Sequence, residues 1–361
     1  MLSRKKTTLL GVAALSLVAT AAQAQVTLTA KAGFGTGGWI APAAASTLLD
    51  TGNNTRGFAY DGVTNQLIIV NRTGGNNVNL VNASTGAFNG TMDGSGFTGG
   101  TFTNNMVASV GGKVFVANLA TSSTAPFKIY QFASATVGQT STEIFNATSG
   151  LFRTGDDFDA ILDANGRVAF AASGSMGTNA PFGYAYISSN GSSYSSAVVN
   201  GGMTNDGLRL GLTFGADENT VMGTKGLFTD GLFVIQNGVQ LGQVTGLGTN
   251  SARPMDFAVV NGVPLLAVID TVSSQVQVYD MTSPLAPVFV AQGNNTTGAL
   301  TANGNGVGQV KFGQDATGAW SLYAMSTNQG LQAFDVSVVP EPGTMLILAG
   351  AAAIAARRRR K

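Results

Sequence analysis

The chain of 361 residues contains no cysteine and no histidine, and only 10% of its residues are charged. Without cysteine no disulfide can stabilise the fold, so the body depends on its own hydrophobic core. Without histidine, Ser-His-Asp and Cys-His nucleophiles, imidazole acid–base catalysis and histidine metal sites are excluded. No cofactor or metal motif stands out, and the remaining chemistry rests on carboxylates, hydroxyls, lysine and arginine.

The few charges are distributed unevenly along the chain. Eight of the nineteen Lys and Arg residues lie in residues 1–24 and 339–361. Residues 25–338 contain eleven Lys and Arg against seventeen Asp and Glu, a net charge of −6. This acidic balance argues against nucleic acid as a partner of the body.

The N-terminus has the three parts of a secretory signal peptide. Residues 1–6 form a basic region, residues 9–19 form a short apolar region, and Ala-Gln-Ala at 22–24 fits a cleavage site. We therefore expect residues 1–24 to pass through the Sec machinery and be removed by signal peptidase between Ala24 and Gln25.

The C-terminus, residues 339–361, carries a second set of export features. It consists of a Pro-Glu-Pro segment, a fourteen-residue apolar run and a basic tail: Val339, Pro340, Glu341 and Pro342, then 343–356, then 357–361. As a helix the apolar run is roughly 21 Å long, short of the ~30 Å hydrocarbon core, so it spans a membrane only marginally. The basic tail stays in the cytoplasm by the positive-inside rule, which places the body outside.

This tail resembles the sorting signal of the bacterial PEP-CTERM proteins. The resemblance implies cleavage at the motif by a membrane transpeptidase called exosortase, and the two prolines keep Glu341 in an extended, accessible stretch. We expect a transient inner-membrane intermediate, membrane contact only through residues 343–356, and final placement at the cell surface or outside the cell. The alternative is a C-terminal anchor that is never cut.

The body, residues 25–338, has the pattern of short strands separated by turns, with abundant glycine and no long helical periodicity. One unit of three strands recurs six times, and its clearest copy spans residues 57–86. The third strands begin at positions 77, 127, 182, 231, 275 and 330, a period of 44 to 55 residues. Such a period in antiparallel strands is typical of propeller blades.

The repeated unit also resembles the blades of bacterial YVTN-like propellers. We predict an all-β, six-bladed β-propeller of four-stranded antiparallel blades over residues 25–338, with a β-sandwich or another repeat β fold as the alternative. The sixth copy ends directly before the sorting signal and has no room for a fourth strand. Because an uncovered edge promotes aggregation, we expect residues 26–32, which alternate as a strand, to pair with the last blade.

The densest acidic cluster consists of Asp156, Asp157, Asp159 and Asp163. Its spacing does not fit a calcium loop, which needs oxygen ligands at alternate positions, a central glycine and a late glutamate. We expect solvated strand and turn acids here, with a calcium or substrate role as the alternative. Asp61, Asp163 and Asp315 fall in corresponding turns, where aspartate favours the turn geometry.

Four of the six arginines of the body stand shortly before the first strand of a predicted blade: Arg56, Arg153, Arg209 and Arg253. The equivalent connections of a propeller emerge on one face, so these guanidinium groups are predicted to ring one mouth of the channel. Their planar fork suits carboxylates and sulfates, such as those of uronic-acid or sulfated polysaccharides. The alternative is that each arginine pairs with a nearby carboxylate, Asp157, Asp206 or Asp256, and ties one blade to the next.

Three functions remain open from the sequence. We predict a non-enzymatic surface or matrix protein that contacts exopolysaccharide. The alternatives are a soluble ligand-binding propeller and a polysaccharide hydrolase or lyase that uses carboxylates or tyrosine. Two acids about 5 to 10 Å apart in the channel mouth favour the enzyme, because glycosidases need such a pair. An apolar, plugged channel favours the structural role.

Overall fold

The computed structural model describes residues 24–175, 182–203, 207–296 and 300–339. All the secondary-structure elements within these ranges are β-strands, which confirms the all-β prediction. The predicted helices of the two export signals lie outside the described residues. Turns between the strands carry many residues with positive φ, nearly all of them Gly or Asn, because these two residues tolerate the left-handed region best.

Six sheets form the blades, each with four main strands, and the sheet of blade 6 has one further short strand. Blade 1 contains β3 (Thr55–Asp61), β4 (Gln66–Asn71), β5 (Asn77–Asn82) and β6 (Phe88–Met92). Blade 2 contains β7 (Phe102–Val110), β8 (Lys113–Leu119), β9 (Phe127–Phe132) and β10 (Thr142–Ala147). Blade 3 contains β11 (Arg153–Leu162), β12 (Val168–Ser175), β13 (Phe182–Ser189) and β14 (Tyr194–Met203). Blade 4 contains β15 (Gly211–Phe214), β16 (Thr220–Thr224), β17 (Leu232–Gln236) and β18 (Val239–Val244). Blade 5 contains β19 (Ala252–Val260), β20 (Val263–Asp270), β21 (Val276–Asp280) and β22 (Val288–Gly293). Blade 6 contains β23 (Gly308–Gln314), β24 (Trp320–Ser326), β25 (Gly330–Val339) and β1 (Gln25–Ala30).

The blades form a closed ring around a central channel. The first strands of successive blades contact one another in order, and β23 contacts β3. These inner strands line the channel and run in the same direction, so all of them begin at one end of it. We call that end the front face. The six-bladed propeller predicted from the repeats is confirmed.

The N-terminus supplies the last strand of blade 6. β1 pairs with β25, and the two-residue strand β2 (Trp39–Ile40) pairs with β25 as well. The Trp39 indole Nε1 donates a 3.0 Å hydrogen bond to the Gln329 carbonyl, which holds this segment in place. The predicted closing strand, residues 26–32, is therefore confirmed, although it begins and ends slightly earlier, at residues 25–30.

Apolar clusters between neighbouring blades form the hydrophobic core. Between blades 2 and 3, Phe115, Phe158 and Phe170 are fully buried. The ring centroid of Phe170 lies 4.9 Å from that of Phe115 and 5.4 Å from that of Phe158. Phe58 and Tyr323 lie in the cluster that joins blades 6 and 1. Burying one such side chain contributes about 1.5–3 kcal/mol, so packing between blades stabilises a fold that has no disulfides.

Side chains of the inner strands also bind the main chain of the next blade. The inner edge of each blade has N–H and C=O groups without a strand partner, and buried main-chain groups need one. The bonds are Asp157 Oδ2 to Leu212 N (2.7 Å), Asp159 Oδ2 to Phe214 N (2.9 Å), Asp256 Oδ2 to Phe312 N (2.7 Å), Gln309 Oε1 to Phe58 N (2.9 Å) and Asn105 Nδ2 to Gly155 O (2.5 Å). They fix the inner strands at the junctions of blades 2–3, 3–4, 5–6 and 6–1.

The three turn aspartates behave as predicted. Asp61, Asp163 and Asp315 each accept hydrogen bonds from main-chain N–H groups two to four residues further on. These bonds lower the pKa of Asp163 and, together with a bond from the Thr317 hydroxyl, the pKa of Asp315. Their role in turn geometry is confirmed.

The chain divides into two compact units, residues 26–338 and the two ends, residues 1–25 with 339–361. Of the second unit only Ala24, Gln25 and Val339 are described, so the processing residues Pro340, Glu341 and Pro342 and the apolar run 343–356 lie outside the described part. No described helix is long and apolar enough to cross a membrane. Cleavage after Ala24 and at the Pro-Glu-Pro segment stays a prediction.

Candidate functional site

A cavity of about 180 Å³ opens at the front face of the channel. Blades 1, 2, 3, 4 and 6 all contribute to it through the beginnings of inner strands or the residues just before them. It is lined by Arg56, Thr101, Phe102, Leu119, Arg153, Asp156, Arg209, Leu210, Asn305 and Val307. We call the group Arg56, Arg153, Arg209 and Asp156 the arginine mouth.

Asp156 binds all three arginines of the mouth. Its carboxylate accepts two hydrogen bonds from Arg153, one of them 2.6 Å from Nη2, and one of 3.0 Å from Arg209 Nε. Arg56 Nη2 lies 3.8 Å from Asp156 Oδ1. The Asp156 side chain is 1% exposed, whereas those of Arg153 and Arg209 are 25% and 33% exposed. A buried carboxylate thus holds two guanidinium groups that still reach solvent.

Arg56 is the buried member of the mouth. Its side chain is 4% exposed, and its Nε has no hydrogen-bond partner among the described residues. Burial lowers the pKa of Arg56 to about 10, although the charge of Asp156 opposes this shift. The guanidinium lies 5.6 Å from the centroid of the Phe102 ring, and Arg72 stacks on the same ring at 3.8 Å. Buried donors without partners cost about 1–3 kcal/mol, so Arg56 gains from any acceptor that enters the cavity.

Arg253 lies beside the cavity without lining it. Its Nε donates a 2.9 Å hydrogen bond to the Asn250 carbonyl. Burial lowers the pKa of Arg253, although the charges of Asp230 and Asp270 oppose this shift; the charge of Arg209 adds to it. Gly306 has a φ of +61°, and a Cβ there would overlap the Arg253 guanidinium, so glycine at this position leaves room for the arginine. The structure brings three of the four predicted arginines together around one carboxylate and places the fourth next to them; their ligand-binding role stays a prediction.

The expectation that the acidic cluster is solvated was wrong for three of its four members. Asp156, Asp157 and Asp159 are only 2%, 2% and 8% exposed. They are buried because each binds a group of a neighbouring blade. Asp156 binds the arginines, and the other two accept hydrogen bonds from main-chain N–H groups of β15. Within the described residues no group of acidic side chains is arranged to hold a metal ion.

A second charged group lies deeper in the channel and was missed by the sequence analysis. Lys311 Nζ lies 2.8 Å from Asp159 Oδ1 and 2.8 Å from Asp256 Oδ1. Burial alone would lower the pKa of Lys311, but the two carboxylates outweigh it and raise the pKa. Burial raises the pKa of Asp256 to about 6, against the effect of Lys311. The sequence carries no distinct signal for this group, because β11 and β19 contain other charged residues beside Asp159 and Asp256, and only Lys311 is the single charge of its strand.

Asp157 is the most strongly perturbed acid of the inner strands. Burial raises its pKa to about 8, although both carboxylate oxygens accept main-chain N–H groups, from Leu212 at 2.7 Å and Phe158 at 2.8 Å. The bond from Leu212 ties blade 3 to blade 4. Asp157 does not line the front cavity, so we assign it to the fold and not to the site.

Two larger hollows lie elsewhere in the described residues. One of about 440 Å³ between blades 1 and 2 is lined mostly by glycine and small polar residues, with Asp93 as its one charged residue. One of about 300 Å³ between blades 4 and 5 is mainly apolar, with Met222, Phe257 and Met281 in its walls. Neither brings several charged groups together, so the smaller front cavity has the more specific chemistry.

Two family profiles match the chain. Residues 338–361 match the PEP-CTERM protein-sorting motif, and residues 39–202 match a family described as a domain of unknown function, DUF4623. No curated protein matches the sequence. The fold and the motif define a class: this is a six-bladed β-propeller with a C-terminal PEP-CTERM sorting motif, features that fit a secreted or cell-surface protein.

Several solved structures share the fold. A DUF4623 family protein from Bacteroides eggerthii is 20% identical, with a TM-score of 0.62 over 79% of this chain and 71% of that chain. A protein of unknown function from Bacteroides thetaiotaomicron is 12% identical, with a TM-score of 0.53 over 87% and 76%. The PQQ-bound aldose sugar dehydrogenase from Streptomyces coelicolor is 12% identical, with a TM-score of 0.51 over 87% and 99%. At these identities the likeness concerns the fold alone.

Proposed function

We propose that this protein is a substrate of an exosortase and acts outside the cell as a non-enzymatic binding module. In this proposal the arginine mouth binds carboxylate or sulfate groups of an anionic exopolysaccharide. The observation that carries the proposal is the group of three guanidinium groups around one buried carboxylate, in a cavity at one end of the channel.

Charge supports an anionic ligand. The four side chains of the mouth have a formal charge of +2, while residues 25–338 have a net charge of −6. A small positive site in an acidic body attracts anionic groups locally and leaves the rest of the surface repulsive to them. Arginine forks also bind carboxylate and sulfate oxygens in pairs, with defined geometry.

The positions of the acids favour binding over two-carboxylate hydrolysis. Asp156 is the one carboxylate among the lining residues of the cavity, and it is occupied by arginines. Asp159 and Asp256 are both bound to Lys311, and neither lines the cavity. A glycosidase needs one carboxyl group as acid and another as base or nucleophile beside the sugar bond, and the mouth offers no such free pair within the described residues.

Retention on polysaccharide columns tests the binding proposal. The double variant Arg153→Gln/Arg209→Gln is compared with Arg167→Gln, since Arg167 is exposed and lies in the β11–β12 turn, away from the front face. We expect wild type and Arg167→Gln to be retained on polygalacturonate or dextran sulfate but not on neutral dextran. The double variant should elute at lower salt. Equal elution of all three proteins would refute a role for the mouth.

The sorting proposal has its own test. The protein is recovered from the surface or medium of cells that make it, and its C-terminal peptide is identified by mass spectrometry. We expect a C-terminus within or just before residues 340–342. Finding Arg357 to Lys361 on the exported protein would refute processing.

A further inference from the structure

Exposed phenylalanine is unusual, because Phe is among the side chains most often buried. Four phenylalanines among the described residues are largely exposed: Phe88, Phe152, Phe228 and Phe289, at 55%, 49%, 52% and 49%. Two of these four lie at the front face. Phe152 directly precedes Arg153 of the arginine mouth, and Phe228 lies in the connection from β16 to β17. That connection is at the front because β16 runs back from the far end of β15.

Hydrogen bonds fix the loop of Phe228 next to Arg253. The Phe228 main chain donates to the Thr249 carbonyl at 3.3 Å and accepts from Gly246 N at 2.9 Å. Asn250 connects this loop to Arg253. Its side-chain Oδ1 accepts a hydrogen bond from Thr229 N at 2.8 Å, and its main-chain carbonyl accepts one from Arg253 Nε at 2.9 Å. The exposed ring is therefore presented by a loop whose hydrogen bonds connect it to Arg253, beside the arginine mouth.

Phe152 is held from both sides along the chain. Leu151, before it, is 2% exposed, and its N–H donates a 3.2 Å hydrogen bond to the Ser149 hydroxyl. Arg153, after it, is bound to Asp156. The exposed ring thus sits between an anchored apolar residue and an anchored arginine, and its position relative to the mouth is set by both.

The size of the cavity limits what the arginines can hold. At about 180 Å³ the cavity is smaller than the ~300–1,000 Å³ pockets that enclose drug-sized ligands. It has room for one charged group and part of the sugar that carries it, so the rest of a polysaccharide must lie on the surface around it. The flanking surface offers Phe152 beside blade 3 and Phe228 on blade 4.

We propose that the front face binds an anionic polysaccharide as an extended chain, with Phe152 and Phe228 as stacking surfaces for the sugar rings that flank the unit held by the arginine mouth. This inference rests on the proposed function and adds the chain-length preference and the two contact residues. The apolar C–H face of a pyranose ring suits the negative face of an aromatic ring. The ligand class is therefore a polymer of uronic acid or sulfated pyranose units, rather than a free monosaccharide or an inorganic anion.

Titration with galacturonate oligomers of one and six units tests the proposal, using isothermal calorimetry at fixed ionic strength. The variants are Phe152→Ala/Phe228→Ala and the control Phe88→Ala, whose ring is equally exposed but belongs to β6 of blade 1. We expect wild type and the control to bind the hexamer at least about ten-fold tighter than the monomer, a difference of ~1.4 kcal/mol. The double phenylalanine variant should lose this gain while its monomer affinity is unchanged.

The outcomes separate the two proposals. If the double phenylalanine variant binds the hexamer as tightly as wild type, the stacking inference is wrong. If, in addition, Arg153→Gln/Arg209→Gln weakens the binding of both the monomer and the hexamer, the arginine mouth is a binding site but the two phenylalanines are not part of it. If the arginine variant binds like wild type, or wild type binds neither oligomer, both proposals fail for this class of ligand.

Discussion

The channel contains two charged groups that differ in how far their side chains reach solvent. In the middle, one amine, Lys311, lies between two carboxylates, and the outer oxygen of each carboxylate accepts a main-chain N–H group. At the front face, one carboxylate, that of Asp156, forms ion pairs with three guanidinium groups around a cavity. The side chains of the middle group are 10–12% exposed, whereas those of Arg153 and Arg209 at the front face are 25% and 33% exposed.

This difference shows how similar ion pairs take on different roles. A buried ion pair is tolerated only when hydrogen bonds satisfy its remaining polar atoms, and both carboxylates of the middle group meet that condition. The front group keeps Arg153 and Arg209 partly exposed and leaves Arg56 Nε without an acceptor among the described residues. We therefore assign the middle group to holding blades 3, 5 and 6 together, and we propose binding for the front group.

Replacing Lys311 is expected to give the largest loss of stability. Lys311→Met leaves two buried carboxylates without their shared cation, and breaking a buried pair typically costs about 3–5 kcal/mol. Urea unfolding measures the change in the free energy of unfolding. The matched control is Lys128→Met, which removes a surface pair with Glu143 at 2.9 Å and should cost about 0–1 kcal/mol. Similar losses in both variants would mean that the middle group is not structural.

The sequence predicted the positions of the blades better than it predicted the burial and pairing of the charged side chains. The predicted third-strand starts at 77, 127, 182 and 330 coincide with strands of the structure, and those at 231 and 275 are one residue early. This succeeds because apolar periodicity and turn residues are local signals. The arginines were also found from a local signal, since each stands near the start of an inner strand.

The burial of the inner-strand aspartates could not be predicted from such local signals. Asp159 and Lys311 are 152 positions apart and meet only because the ring closes. In the sequence, Asp157 and Asp159 look like Asp163, which does lie in a turn. What separates them is the neighbouring blade, whose main-chain N–H groups they bind, and a single sequence does not show which edge faces which side chain.

The pH dependence of stability should separate Asp157 from the turn acids. In the unfolded chain Asp157 titrates near its ordinary pKa of ~3.9, and in the folded protein near 8. Between these values the unfolded state binds fewer protons than the folded state, so the free energy of unfolding falls as pH rises, by up to ~1.4 kcal/mol per unit. The slope above pH 6.5 isolates Asp157, because Asp256 has a folded pKa of about 6.

Asp157→Asn should flatten the slope between pH 6.5 and 8, as measured by urea unfolding at several pH values. Asp163→Asn is the control, because its pKa is lowered from the ordinary value and the residue is already ionised throughout this range. An unchanged slope in Asp157→Asn would show that this carboxyl does not titrate there.

Single replacements at the front face should have the smallest effect on stability. Arg153→Gln or Arg209→Gln leaves Asp156 with two other arginines, and both side chains are partly exposed, so we expect a loss of about 1 kcal/mol or less. The same urea unfolding experiment measures it. A loss as large as that of Lys311→Met would make the front group a structural element and remove the contrast between the two regions.

Chemical modification of arginine tests the central claim in the wild-type protein. Phenylglyoxal labelling, mapped by mass spectrometry, is compared with and without dextran sulfate. We expect dextran sulfate to protect Arg153 and Arg209, which are partly exposed at the mouth, and to leave the labelling of exposed Arg167 unchanged. Equal labelling of Arg153 and Arg209 with and without dextran sulfate, or protection of Arg167 to the same degree, would contradict a binding site at the arginine mouth.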